Sequence, residues 1–489
     1  MRLSALLRKA KIEYDGADCE ISRVICDSRV AEQGALFVCI TGFASDGHAY
    51  AQRAYDLGCR AFLAEKPLDL PSDAIVVLQE NTRKALAKVS AAYYDFPAEK
   101  LRVIGITGTK GKTTISLMLS SILSKNGIPA GYIGSNGIDF GGNHYDTKNT
   151  TPESLDLHYY FDRMVQAGMQ AVVLEVSSQA LYLDRVYGIP FAAVAFTNLA
   201  HDHIGGIEHP TFEHYRDAKK KLFTEYNAPF AFYNAEDANS AYMLDGCRAL
   251  LSSFGLHTGD FYATEIEPFL ESGVLGVSFT AHALSETCKV RLPMPGTFSV
   301  ANALCAIAIA RRFGVSLAES AATLAHTAAT GRFEVVPTKL PAVFVIDYAH
   351  NGFSMTSALT TLRAYAPNRL WCVTGSVGGR TKSRRAEIGE AVSLHADIAV
   401  LTADNPDFED PIAICEEIRA AFARDIPCEC IADRAEALRY VVENARAGDI
   451  VLLAGKGHET YQLIRGGNIP FSERALIEQY AMEVAAELV

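Results

Sequence analysis

The sequence has little that would carry a chain out of the cell or into a membrane. No apolar run reaches the roughly 18 residues that a bilayer span requires. The opening residues, Met1-Arg2-Leu3-Ser4-Ala5-Leu6-Leu7-Arg8, lack the apolar core of a secretory signal. Eleven cysteines are scattered without a C-x-x-C pair, and Cys428-Glu429-Cys430 is the closest approach, a usage that reads as reduced thiols. Basic residues are outnumbered, 45 against 57 acidic, and the resulting charge of −12 argues against a nucleic-acid or anionic-membrane partner. There is no internal repeat and no low-complexity tract. The expectation is a soluble cytoplasmic protein acting on small molecules.

What is present is ample core material, with 49% of residues apolar, in a chain of 489 residues. At about 150 residues per domain, that length suggests three domains. The most informative stretch is Val103-Ile104-Gly105-Ile106-Thr107-Gly108-Thr109-Lys110-Gly111-Lys112-Thr113-Thr114. A β-branched apolar run enters a glycine-rich turn, and a helical pattern follows from Ile115 to Asn126. Strand, glycine loop and helix N-terminus form a cradle for phosphate, in which loop amides and the helix dipole face an anion. Lys112 brings a mobile charge to the outer phosphates, and Thr113 offers a hydroxyl to Mg²⁺. The strict P-loop spacing is not met, because its first glycine would fall at Ile106. A nucleoside triphosphate is the expected ligand.

Ahead of this loop, residues 1–98 end at a linker marked by Phe96-Pro97. They carry apolar strand patterns at Ile21–Cys26 and Gly34–Ile40, followed by Asp27-Ser28-Arg29, Thr41-Gly42 and Asp46-Gly47-His48. From 99 to 330, strand and helix patterns alternate as in a parallel sheet with crossover helices. Asn149-Thr150-Thr151-Pro152-Glu153 is a hydroxyl-rich loop before a helix. The run Ala171–Val176 holds one carboxylate, Glu175. A carboxylate on a buried strand is costly unless paired or bound to metal, which makes Glu175 a candidate Mg²⁺ ligand, a salt bridge being the alternative. Thr197-Asn198 and His201-Asp202-His203 follow the strand Phe191–Phe196. Lys219 stands four residues after Tyr215 and four before Phe223, so it shares their apolar helix face and is expected to point inward. From 331 to 489, four apolar strands each end in a polar or glycine-rich loop, the pattern of a doubly wound sheet with ligands at the strand C-termini.

These motifs together resemble the Mur ligase family over essentially the whole chain. The resemblance rests on Thr107–Thr114, Glu175-Val176-Ser177-Ser178, Thr197-Asn198 with Asp202-His203, Tyr215 with Lys219, Gly331-Arg332-Phe333-Glu334, Asp347-Tyr348-Ala349-His350 and Gly455-Lys456-Gly457-His458-Glu459. Asp27-Ser28-Arg29, Asp46-Gly47-His48 and Asp404-Asn405-Pro406 narrow it to the UDP-N-acetylmuramoyl-tripeptide synthetases. It implies an α/β protein of three domains. These are an N-terminal UDP-sugar-binding domain over 1–98, a central P-loop ATPase-like parallel-sheet domain over 99–330, and a C-terminal Rossmann-like amino-acid-binding domain over 331–489. The implied reaction is ATP-dependent amide formation in peptidoglycan precursor synthesis, in which a diamino acid joins the side-chain carboxylate of UDP-N-acetylmuramoyl-L-alanyl-D-glutamate through an acyl phosphate.

The resemblance also assigns roles. Gly108, Thr109, Lys110, Gly111, Lys112, Thr113 and Thr114 hold ATP, with Asn302 at the adenine, Arg332 at phosphate and Asp347 at the ribose. Thr113 and Glu175 hold one Mg²⁺, and His203 and Lys219 a second, the lysine as its carbamate. Lys112, Glu175, His203 and Lys219 form the catalytic set. Ser28, Thr41, Gly42 and His48 take the uridine diphosphate, and Thr150, Thr151, Ser178 and Arg185 the sugar–peptide portion. Arg385, Asn405, Asp407, Gly455 and Glu459 receive the amino acid.

Synthetases that add meso-diaminopimelate carry Asp-Asn-Pro-Arg, whose arginine meets the distal carboxylate. Here the fourth residue is Asp407, which favours an ammonium and therefore L-lysine, with ornithine and meso-diaminopimelate as alternatives. The loop Gly375-Ser376-Val377-Gly378-Gly379-Arg380 also looks like the lysine-adding group. Gln179 and Gly352 depart from the histidine and proline common beside their motifs. A folylpolyglutamate synthetase-like ligase is disfavoured by the N-terminal domain. A degenerate ATP-binding scaffold is disfavoured because Lys112, Glu175, His203 and Lys219 are all present, and a GTPase because there is no Asn-Lys-x-Asp. A monomer is expected.

Overall fold

The computed structural model describes residues 1–489 except 43–44, 201–204, 206–208, 272–273, 328–332, 380–381 and 488–489. His203, Arg332, Asp202 and Arg380 therefore lie outside the described residues. The chain forms two compact units. One comprises Met1–Ala263, Ala281–Cys288 and Ala301–Thr323, and the other Thr264–Thr280, Lys289–Val300 and Leu324–Val489.

The first unit holds a parallel four-stranded sheet, Arg23–Ile25, Ala35–Val38, Ala61–Ala64 and Ile75–Leu78, in chain order. Helix Thr82–Tyr93 covers one face, and Asn81 caps it by accepting from the Lys84 N–H. Leu86 and Val89 on that helix join Leu3, Leu6 and Leu7 over Val24, Leu36 and Leu63.

Six parallel strands of a larger sheet also lie in the first unit. Their order is Leu250–Phe254, Phe230–Asn234, Phe191–Phe196, Arg102–Thr107, Ala171–Glu175 and Ala130–Gly134, after which Gly137–Phe140 and Asn143–Tyr145 add on antiparallel. The phosphate-loop strand is central and buried on both faces, as a continuous apolar run of its kind must be. The chain leaves it for Ala130–Gly134, returns between the two, then crosses to Phe191–Phe196 on the other side. That reversal makes its C-terminal end a topological switch point. Register does the rest: Ile106 lies opposite both Glu175 and Ala195, and Thr107 opposite Phe196. The residues that end the two neighbouring strands thus flank the glycine loop.

In the second unit, a six-stranded sheet runs in the order Glu334–Val336, Val343–Asp347, Ile450–Ala454, Leu370–Thr374, Ile398–Thr402, Cys428–Ile431, parallel except for its first, antiparallel edge strand. Helices Gly352–Arg363, Ser383–His395 and Pro411–Arg419 pack on one face, and Arg434–Asn444 and Glu473–Glu487 on the other. This is the doubly wound sheet that the four apolar strands predict. A short hairpin, Tyr461–Ile464 with Gly467–Pro470, follows the last parallel strand.

One ion pair in this unit is fully desolvated. Arg434, 1% exposed, donates through Nε to Glu473 at 2.8 Å and through Nη1 and Nη2 to the carbonyls of Ala403 and Ala454. It ties the helix layer to the ends of two strands. Removing one partner strands the other charge, so Arg434→Met is expected to destabilise this unit by ~3–5 kcal/mol. Arg434→Met/Glu473→Met should recover most of that loss. Trp371, the one tryptophan, is buried in the same unit and donates to Asp449, so its fluorescence in urea reads the outcome.

Candidate functional site: a phosphate loop and its carboxylate

The strand Arg102–Thr107 delivers the chain into the loop Gly108–Gly111, and the helix Lys112–Lys125 starts directly after it. Two glycines are required here. A Cβ on Gly108, whose φ is +149°, would lie 1.9 Å from Thr197 Oγ1, and one on Gly111, φ +87°, would lie 2.5 Å from Asn302 Oδ1. Asn302 therefore sits against the loop that the sequence assigns to the nucleotide.

The loop is held from outside. The Asn198 carbonyl accepts from the Thr109 N–H at 2.9 Å, and its side-chain oxygen accepts from the Lys110 N–H at 2.9 Å. Thr197 Oγ1 and Asn198 Nδ2 both donate to the Lys110 carbonyl. The sequence reading let all the loop amides face an anion; here two of them are taken by Asn198. Anion binding then falls to the first helical turn, where the Thr113 and Thr114 N–H groups have no acceptor within the helix. Lys112 folds back over the loop, donating to the carbonyls of Gly108 and Thr109.

Glu175 has no exposed surface, and both oxygens of its carboxylate accept hydrogen bonds. Oε1 accepts from Tyr132 Oη at 2.6 Å and the Ser135 N–H at 3.0 Å, while Oε2 accepts from Thr113 Oγ1 at 3.0 Å. Burial, and then the Glu175 charge, push the Tyr132 phenol well above its ordinary range, so it remains a donor. Tyr132 and Ser135 were not legible as site residues: a tyrosine within Ala130–Gly134 carries no sequence signal beyond β propensity. The Thr113 hydroxyl and the Glu175 carboxylate together form a pair of hard oxygen donors suited to Mg²⁺.

Helix Phe212–Thr224 lies beneath the loop. Lys219 is buried, as its helical face predicts, and donates to the Gly108 carbonyl at 2.9 Å; Tyr215 Oη is 3.0 Å from Thr109 Oγ1. As an ammonium, Lys219 is a donor and cannot ligate a cation.

A polar chain extends from Glu175 toward the four-stranded sheet. Thr151 Oγ1 donates to the Glu175 carbonyl at 2.7 Å, and Thr150 Oγ1 meets Ser135 Oγ at 2.9 Å. Arg185 donates to the Thr151 carbonyl and to Glu153, which also accepts from Arg83, and Arg83 reaches the Thr41 carbonyl. The Gly42 N–H donates to the Ser45 carbonyl, and Ser28 is buried in the one-turn helix that follows Asp27. His48 is fixed by Asp46 on one ring nitrogen and the Glu65 N–H on the other. Ser178 Oγ is 2.8 Å from His209 Nε2, and His209 Nδ1 is 2.8 Å from His214 Nδ1, contacts that no motif announced.

In the second unit, Lys456 is completely buried and donates at 3.1 Å to both Asn405 Oδ1 and Glu459 Oε2, while Asn405 Nδ2 donates to Glu459 at 2.9 Å. A Cβ on Gly455 would lie 3.1 Å from the Asp404 carboxylate. Three residues have side chains already engaged within the chain. Asp347 accepts from the N–H groups of Phe333 and Ala349, and Arg385 is paired with Glu409 and Glu417. Asp407 Oδ1 accepts from the Gly466 N–H at 2.7 Å.

Two substitutions test the loop and its carboxylate. Gly108→Ala imposes a clash and a strained φ worth ~1–3 kcal/mol, so binding of a fluorescent ATP analogue should weaken by tenfold or more. Tyr132→Phe removes a hydrogen bond to a buried charged group, worth ~1.5–3 kcal/mol, and should lower the thermal midpoint by several degrees as well as turnover.

Comparison with known proteins agrees with this arrangement. Residues 20–95 match the model for the Mur ligase family catalytic domain, 106–310 that for the Mur ligase middle domain, and 331–457 that for the Mur ligase glutamate ligase domain. The chain is 37% identical, over 99% of both sequences, to the UDP-N-acetylmuramoyl-L-alanyl-D-glutamate--2,6-diaminopimelate ligase of Caldanaerobacter subterraneus subsp. tengcongensis. It is 39% identical to the protein of the same name from Chlorobaculum tepidum, over 95% of this chain and 93% of that one. A solved structure of a ligase of that name superposes with a TM-score of 0.74 at 27% identity, covering 98% of this chain and 99% of the other. Among the described residues, no helix is long and apolar enough to cross a membrane. With its three domains, phosphate loop and loop-facing carboxylate, the chain belongs to the Mur ligase family, the ATP-using ligases that form amide bonds in peptidoglycan precursor synthesis.

Proposed function

We propose that this ligase joins an amino group of meso-2,6-diaminopimelate to the D-glutamate side-chain carboxylate of UDP-N-acetylmuramoyl-L-alanyl-D-glutamate. The observation that carries this reading is end-to-end identity of 37–39% to ligases named for that amino acid. ATP transfers its γ-phosphoryl group to the carboxylate, giving an acyl phosphate and ADP. The amine then attacks the acyl carbon, the C–O bond to phosphate breaks, and the amine loses a proton as phosphate leaves. Such transfers depend on positioning and charge neutralisation more than on a protein nucleophile.

In this reading Lys112 and the first helical turn hold the phosphates, while Asn302, Arg332 and Asp347 hold the rest of the nucleotide. Thr113 and Glu175 would hold Mg²⁺, whose contribution would be to neutralise phosphate charge. His203 with Lys219 would hold a second ion, which requires Lys219 as its carbamate. Ser28, Thr41, Gly42 and His48 take the uridine end, and Thr150, Thr151, Ser178 and Arg185 the sugar–peptide. Asn405, Gly455 and Glu459 meet the amino acid, with Arg385 and Asp407 in supporting contact. The domain limits are 1–98, 99–330 and 331–489, and the working form is a cytoplasmic monomer whose eleven cysteines remain thiols, consistent with all eleven being free.

L-Lysine is the second reading, favoured by one observation: a carboxylate, Asp407, stands where an arginine would meet a distal carboxylate. The Gly466 N–H already occupies one oxygen of Asp407, which gives that residue a role within the chain as well.

Phosphate release with ATP, Mg²⁺ and the UDP-muramoyl dipeptide should be measured with each amino acid in parallel. Turnover with diaminopimelate is the expected result. Turnover with lysine alone would install the second reading, and silence with both would leave a different amine, such as ornithine, or an ATP-binding scaffold.

A further inference from the structure

2,6-Diaminopimelate carries a carboxylate at each end, so whichever end reacts, the other brings an anion that must be met by a cation or left in water. The cations around Asn405 and Glu459 are mostly committed. Arg385 lies between Glu409 and Glu417, Lys382 is paired with Glu417, and buried Lys456 is bonded to Asn405 and Glu459. Position 407 itself is an aspartate.

The backbone shows where a replacement stands. The hairpin Tyr461–Pro470 is stitched to the loop Asp404–Asp407 one residue after another. Gln462 Nε2 donates to the Asp404 carbonyl, and the Leu463 N–H to Asn405 Oδ1. The Asp407 N–H donates to the Leu463 carbonyl at 3.1 Å, and the Arg465 N–H to the Asp407 carbonyl at 2.9 Å. The Gly466 N–H completes the set on Asp407 Oδ1. Asp407 thus spends both its main chain and its carboxylate on holding the hairpin turn, and the residue it fixes beside itself is Arg465. That arginine is exposed, and its guanidinium has no partner among the described residues. With Gly466 at φ +76°, its φ of +49° completes the two-residue turn of the hairpin between Ile464 and Gly467. An exposed guanidinium with no partner among the described residues, on a hairpin bonded to the loop of Asn405 and Asp407, is placed to meet a substrate anion.

We propose that Arg465 recognises the distal carboxylate of diaminopimelate, replacing from the hairpin the guanidinium that position 407 lacks. This rests on the diaminopimelate reading above. A planar guanidinium suits a carboxylate because it can donate two parallel hydrogen bonds, which an ammonium cannot.

The test uses the full-length enzyme and steady-state phosphate release. Arg465→Gly removes the guanidinium and leaves the left-handed turn unstrained. It should raise KM for diaminopimelate about tenfold or more, the worth of a charge-assisted hydrogen-bonded pair, with KM for ATP and for the UDP-muramoyl dipeptide unchanged. Arg465→Lys should fall between wild type and Arg465→Gly, and Arg465→Glu should be the weakest. An unchanged KM for diaminopimelate in both Arg465→Gly and Arg465→Glu would overturn the assignment while the diaminopimelate reading stands. Wild-type enzyme inactive with diaminopimelate would overturn both.

Discussion

The Glu175 carboxylate is the constraint around which the first unit is arranged. A charge with no exposed surface is costly unless hydrogen bonds or a cation meet it. Thr113 answers from the phosphate-loop helix, Tyr132 from the next parallel strand, and Ser135 from the turn after it. Three successive elements, 40 to 62 positions before Glu175 in the chain, are therefore fixed to one another by a single side chain. Because the same strand's backbone holds Thr151, the position of the nucleotide loop and that of the hydroxyl-rich loop are set by one strand end.

The second unit uses charge differently. Arg434 and Glu473 are a structural pair, sealed within the packing and bonded to strand-end carbonyls. Lys456 is equally buried, but it holds Asn405 and Glu459, side chains that follow the C-terminal ends of two strands of the sheet. Both charges are desolvated; what separates them is whether the partner faces the packed interior or the strand C-termini.

Much of this was legible in the sequence because the signals are local. The phosphate-loop strand and helix, the inward face of Lys219 and the four apolar strands of the last sheet all follow from runs and periods a few residues long. The cost of burying Glu175 could also be read, but the identity of Tyr132 and Ser135 as its partners could not, since sheet order decides which strands become neighbours. The antiparallel strands Gly137–Phe140 and Asn143–Tyr145 were missed because short, mixed-polarity strands carry no clear period. The preference for lysine drawn from Asp407 treated its carboxylate as free to meet a substrate. Its bond to Gly466, 59 positions away, was not visible from the motif. His203 and Arg332 lie outside the described residues.

Asn198 bears on how such loops are found. Its contact with Lys110 spans 88 positions, and through it a neighbouring strand end sets the path of the glycine loop. The information that shapes the cradle is thus divided between a short local pattern and a distant asparagine. A search keyed to the spacing of glycines alone samples only the first part, which is why a loop whose first glycine position is occupied by Ile106 can still be built. In this architecture the loop and the asparagine form one discontinuous word, and changes in either are best interpreted against the other.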